Sequence, residues 1–219
     1  MKKLFLYILL LCSVTHNAWA QDTVQIYAFV NQLYNPGATF RLNIFKSDWG
    51  NFLLRKPYLI DETICAKIKN ADVSDTTSEV SFAHWTETPK EVVAELYQHC
   101  RALDRLWQHR FLWQQAKVQK YLLVDHAKDK IPATVLDKLS LNAQEKATVR
   151  KHILDWNKTA IADRLINYCS IPVFTDDGNY ALIVIGQDVR SEGGWDSIFI
   201  FKKTKGQWLR LDMLRLSEI

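Results

Sequence analysis

The placement of seven glycines constrains the fold of this chain more than any other feature. None falls between Gly50 and Gly178, yet Gly178, Gly186, Gly193, Gly194 and Gly206 crowd the last fifth. Glycine weakens helix interiors and serves tight turns, so this distribution predicts a helical middle followed by a β-rich end.

Local patterns agree with that division. Thr88-Pro89-Lys90-Glu91 reads as a helix start, with threonine as cap, proline at the first helical position and Glu91 completing a capping box. Val92, Leu96, Cys100, Leu103 and Trp107 then form one apolar stripe, which predicts a helix at least to Phe111. It either continues through Val118 and Leu122 or breaks near Gln114. Ser140 or Asn142 caps a second long helix whose buried face is Val149, Ile153, Trp156, Ala160 and Leu165, with Pro172 barring its continuation. Upstream, Ile26, Phe29, Val30, Leu33 and Tyr34 have helical spacing behind Asp22, and Phe40, Leu42 and Ile44 alternate as in a strand. A short helix is expected around Ile64 to Ile68 and a polar loop around Ser74 to Ser78.

From Ile171 the period switches to two. Ile171 to Thr175 and Tyr180 to Ile185 flank the hairpin turn Asp176-Asp177-Gly178-Asn179, and Ile198 to Lys203 and Gln207 to Met213 flank Lys205-Gly206. Leu209, Leu211 and Met213 are expected on one side of the last strand and Arg210 and Asp212 on the other, leaving one sheet face solvated. The expected fold is α+β, with long helices (about 89–168) packed on one face of a C-terminal antiparallel β-meander (about 171–214).

Residues 1–20 read as a signal peptide rather than as fold. Lys2 and Lys3 precede an apolar run from Leu4 to Val14, too short to span a bilayer, and Ala18-Trp19-Ala20 is a small-x-small cleavage site. Cys12 follows Leu11 where a lipoprotein signal carries a small residue, so the cysteine does not read as a lipid anchor. The expectation is a single exported domain over 21–219, periplasmic or secreted and not an integral membrane protein. Loss of Lys2 and Lys3 lowers the formal charge of +4 by two, which removes any electrostatic case for nucleic acid. Cys65, Cys100 and Cys169 then remain; an oxidising compartment allows one disulfide among three possible pairings, and buried unpaired cysteines are the alternative.

The terminal meander carries a resemblance. Ser170-Ile171-Pro172-Val173-Phe174, the turn at Asp176-Asp177-Gly178, Tyr180-Ala181, Gly193-Gly194 and Gly206-Gln207-Trp208 resemble the end of many uncharacterised exported bacterial proteins. Trp156, in the preceding helix, fits the same arrangement. Some of those proteins have cysteines in the Gly-containing loop, where this chain has Gln187 to Glu192, so no cysteine role carries over. The resemblance implies fold and export, and no activity.

Three constellations bear on chemistry. Glu91, Glu95 and His99 share one helix stripe at four-residue spacing, a pattern able to ligate a metal or pair for acid–base work; a solvated face beside the apolar stripe is the preferred reading. Trp107, His109, Arg110, Phe111 and Trp113, followed by Lys117, Lys120 and Tyr121, interleave rings and cations; a core helix with snorkelling basic residues has the same composition and is the preferred reading. Ser191, Gly193, Gly194, Trp195 and Asp196 are expected on a loop between strands, the first place to look for recognition. Asp176 and Asp177 lack a calcium-loop spacing, and no nucleotide-binding glycine motif occurs, so no metal, cofactor or catalytic residue is assigned. The resulting expectation is a non-catalytic binding domain for a protein or cell-envelope partner, of inhibitor or immunity type. A hydrolase directed at envelope or glycan material, built from residues distant in sequence, is the alternative.

Overall fold

A computed structural model of the chain describes residues 23–33, 52–71, 85–118, 121–189 and 193–218. The expected leader, the strand at 40–44, the polar loop at 74–78 and Ser191 lie outside these described residues. Helix α1 is Thr23–Leu33, strand β1 is Phe52–Leu54, and α2 is Glu62–Asn70, capped by Asp61. Helices α3, Lys90–Ala102, and α4, Arg105–Arg110, precede β2, Leu122–Val124. A 3-10 turn at Ala133–Lys138 leads to α5, Ala143–Lys158, and a second at Ile161–Asp163 leads to β3, Leu165–Cys169. The chain ends with β4, Val173–Phe174, β5, Tyr180–Val189, β6, Gly193–Thr204, and β7, Gln207–Glu218.

The strands form one open mixed sheet in the order β2-β1-β3-β5-β6-β7, with β4 also paired to β5. The antiparallel β4–β7 meander is the one expected from the alternation, turning on Gly178 and Gly206 at φ of 65° and 81°. Strands β1 and β2 add a parallel edge that three-residue apolar runs cannot announce by period. Strand β3 corrects the expected helix through Leu165. Helix α5 stops at Lys158, and Leu165 to Cys169 instead pair residue by residue with Val189 to Ile185. Its β-forming Ile166, Tyr168 and Cys169 gain two neighbouring strands, which no helical continuation offers.

Helices cover both faces of the sheet, so neither face of its centre is solvated. On one face Ile26, Phe29, Val30 and Leu33 of α1 pack on Ala181, Ile183, Ile185, Phe199 and Phe201. On the other, Ile64, Cys65 and Ile68 of α2 and Val92, Leu96 and Cys100 of α3 pack on Leu182, Val184, Ile198 and Ile200. At the β2-β1-β3 end, Val149, Ile153 and Trp156 of α5 cover Phe52, Leu122, Val124 and Ile166. The α+β class holds, and α1 supplies the second cover.

The last strand changes its facing part-way. Asp212 pairs with Ile200 but Arg210 pairs with Phe201, leaving Leu211 as an extra residue in a bulge. Leu209 and Met213 therefore face opposite ways, and Asp212 is turned toward α3 and buried. Asp212 still faces away from Met213, as alternation has it, but that face is covered by α3 and the Thr86–Thr88 segment rather than by solvent.

Two helix boundaries also differ from expectation. The Thr88 hydroxyl goes to Asp212 rather than to a helix amide, so the expected capping box with Glu91 does not form and α3 starts at Lys90 behind Pro89. Helix α3 ends at Ala102, and Asp104 accepts the Leu106 and Trp107 amides to start α4. The break thus falls well before Gln114. Asn142 and Glu145 do form a reciprocal capping box on α5. Among the described residues, no helix is long and apolar enough to cross a membrane.

Candidate functional site

The polar stripe on α3 is brought to the β4–β5 turn, which selects two of its three members. Asp176 completes a set with Glu95 and His99 in which one ligand atom from each lies within 4.8 Å of the others. His99 Nδ1 is 2.7 Å from the Phe174 carbonyl, an acceptor only, so that nitrogen carries the proton and Nε2 is aimed at Asp176 Oδ1, 3.5 Å away. Glu95 Oε1 accepts the Asp176 amide at 2.6 Å. Glu91 is exposed at the start of the helix and is no member of the set. One imidazole nitrogen and two carboxylates suit a divalent metal, and an imidazole fixed by a backbone carbonyl is how metal-ligating histidines are oriented. The same contacts also fasten α3 to the hairpin turn.

The turn itself is built by side chains. Asp177 accepts the Thr175 hydroxyl at 2.6 Å, the Asn179 amide at 2.9 Å and the Asn179 side chain at 2.8 Å. These bonds, the threonine hydroxyl first, hold its carboxyl below the ordinary aspartate value. Its oxygens therefore close a turn, as the sequence suggests.

Gly193, Gly194, Trp195 and Asp196 belong to strand β6 rather than to a loop. They pair with Val189 to Gly186 of β5. Trp195 is half-buried against the α1-side core, and its indole donates to Gln187 Oε1 at 3.2 Å. Gln187 donates to Asn167 Oδ1 at 2.8 Å and Asn167 to the Phe52 carbonyl at 3.0 Å, a polar row across four strands. Asp196 is buried on the opposite face and bonds the Tyr58 hydroxyl, whose proton is held by burial and by the nearby Asp196 and Asp61 carboxylates. Tyr168 stacks on Tyr58 at a centroid distance of 5.4 Å, and burial, then Asp196, raise its hydroxyl well above the usual value. Gly186 makes room for this ring, since a Cβ there would lie 2.4 Å from it.

The interleaved aromatic and basic stretch is largely core. Trp113 and Tyr121 are buried, Trp107 and Phe111 pack against the same cluster, and Lys117 sits 5.3 Å from the Tyr27 ring centre.

A groove of about 710 Å³ opens between α2, α3 and the segment Trp85 to Pro89. Tyr97 and Trp85 supply rings, and Lys69, Lys90 and Arg101 supply cations, against the single carboxylate, Glu87, among the described lining residues. Lys69 and Arg101 each lie 5.8 Å from the Tyr97 ring centre. Trp85 is tethered by its indole to the Ile68 carbonyl at 3.0 Å. The rim is pinned from the sheet by Asp212, which accepts from the amides of Thr86, Glu87 and Thr88 and from both threonine hydroxyls. Burial pushes this carboxyl up, but the bonds from Thr88, Thr86 and the amides outweigh it and hold it below the ordinary value.

Sequence patterns single out neither the groove nor Asp176 as the partner of Glu95 and His99. The available signal for the rim is Thr86-x-Thr88 together with a carboxylate inside an apolar strand, and each half is silent without the other. Comparison with known proteins finds no matching family model, no similar curated sequence and no matching solved structure.

Proposed function

We propose that this chain is an exported, non-catalytic binding domain that holds an acidic segment of a protein or envelope partner in the α2–α3 groove. The observation that carries this reading is the groove, whose volume of about 710 Å³ lies within the roughly 300–1,000 Å³ range of ligand sites. Its rings offer apolar contact, and among the described lining residues three cations against one carboxylate favour a negatively charged occupant. The rim is held in place before any partner arrives, so little ordering opposes binding. The leader-like start and the resemblance to exported bacterial proteins support the address.

The test is a pull-down from envelope and secreted fractions with the wild-type chain and with a Lys69→Glu/Arg101→Glu variant, followed by mass spectrometry. One stoichiometric partner retained by the wild type and lost from the variant, with circular dichroism unchanged, is the expected result. A partner held equally by both chains, or none at all, overturns the reading. Trp195→Ala separates the two candidate surfaces, because groove binding leaves its retention unchanged.

The hydrolase reading draws on Glu95, His99 and Asp176, whose carboxylates and imidazole suit proton transfer. Turnover of glycan or peptide substrates that disappears in His99→Ala and Glu95→Gln is its signature.

A further inference from the structure

Three mature cysteines leave three pairings open by sequence, and the sheet separates them. Cys65 on α2 and Cys100 on α3 are both buried in the core between these helices and the sheet. Each thiol is the main influence on the other's ionisation, as befits neighbours on the facing inner sides of two packed helices. Cys169 of β3 belongs to the opposite core, against α1. A packed layer is about 10 Å from the next, whereas disulfide-bonded Cα atoms lie within about 7 Å. Cys169 is therefore out of reach of either helix cysteine.

We infer that Cys65 and Cys100 form an intramolecular disulfide, and that Cys169 stays a thiol. The helices present the two sulfurs by simple spacing: Ile64, Cys65 and Ile68 make the inner face of α2, and Val92, Leu96 and Cys100 that of α3. The oxidant is a disulfide of low molecular weight or of a protein donor. The Cys65 thiolate attacks one sulfur of it, forming a mixed disulfide and expelling a thiolate. The Cys100 thiolate then attacks the Cys65 sulfur, closing the bond and expelling the second thiolate. Two electrons pass to the oxidant, and the two protons released from the cysteines end on its thiols. Cys65 suits the first attack, because the neighbouring Cys100 holds its thiol below the usual value while that of Cys100, beside Cys65 and buried, is raised.

The bond would tie together the two helices that wall the groove. Lys69 is one turn after Cys65, and Tyr97 and Arg101 flank Cys100. The segment it closes contains the rim residues Trp85 to Pro89, so oxidation fixes both walls and rim. The inference stands on the two thiols alone and does not need the groove to bind anything.

The test uses the full chain, unfolded with reductant and refolded in a mixture of reduced and oxidised glutathione. Alkylation under denaturing conditions and peptide mapping then identify every cysteine. The expected result is one link, between Cys65 and Cys100, with Cys12 and Cys169 alkylated. Cys169→Ser keeps the link and Cys100→Ser abolishes it. Reduction lowers the Tm of the wild type by roughly 10 °C and leaves that of Cys65→Ser/Cys100→Ser unmoved. Four alkylated cysteines in the refolded chain, or a link through Cys169, overturns the inference.

Discussion

Thr88 and Asp212 are joined by two hydrogen bonds across 124 residues of sequence, from the threonine amide at 2.7 Å and from its hydroxyl at 2.5 Å. The start of helix α3 is thus fastened by a strand at the far end of the chain. A carboxylate accepting several amides at a helix entrance does the work usually given to a local cap, and it also meets the positive end of the helix dipole.

Asp212→Asn removes the charge from this junction and leaves buried donors poorly matched. It is expected to destabilise the protein by about 2–3 kcal/mol at pH 7, measured by urea unfolding. The pH dependence has a definite sign. Because the folded carboxyl lies below the ordinary value of 3.8, its contribution is complete above that value and fades as pH falls through the lower folded one. The difference between wild type and Asp212→Asn should therefore shrink as pH falls from 5 toward the folded value, and an unchanged difference at about pH 2 would contradict this role.

Gly186→Ala places a methyl group 2.4 Å from the Tyr168 ring. The ring must move off Tyr58, at an expected cost of about 1–3 kcal/mol. In the double variant with Tyr168→Ala the alanine at 186 should cost almost nothing further. Thermal unfolding of the four proteins in this cycle reads the coupling directly.

Glu95→Ala frees the Asp176 amide from its 2.6 Å acceptor. Hydrogen exchange at that amide should accelerate by about tenfold or more, while amides in the centre of β5 stay protected. Acceleration spread evenly through the sheet would mean general destabilisation instead.

Asn142→Ala opens the capping box on α5. The expected loss is about 1 kcal/mol in urea unfolding, with fraying confined to the first turn. Lys90→Ala on the groove rim, by contrast, should leave stability within about 0.5 kcal/mol and weaken capture of an acidic partner.

Much of this architecture is legible in the residues themselves. Helix α1, the α5 cap at Asn142 and the β4–β7 meander follow from spacing, capping chemistry and turn glycines, all of which act over a few residues. The candidate site is half legible: Glu95 and His99 share a stripe whatever the helix packs against. Glu91 drops out and Asp176 enters because the β4–β5 turn arrives beside the middle of α3 rather than its start. The Gly193 to Asp196 segment looks like a loop from its glycines, but continuous pairing with β5 makes it strand, burying Asp196 and half-burying Trp195.

By itself the sequence determines helix α1, the start of α5 and the β4–β7 meander, because capping, period and turn glycines act on the local backbone. Tertiary structure decides what those elements meet. Helix cover on the α3 side of the sheet places Asp212 under the rim of the groove, and the sheet itself separates Cys169, in the α1-side core, from Cys65 and Cys100. Strand β3 exists because neighbouring strands satisfy its backbone, a partnership no local pattern encodes. Contacts of this kind join residues more than a hundred positions apart, and only the folded chain brings them within hydrogen-bonding distance.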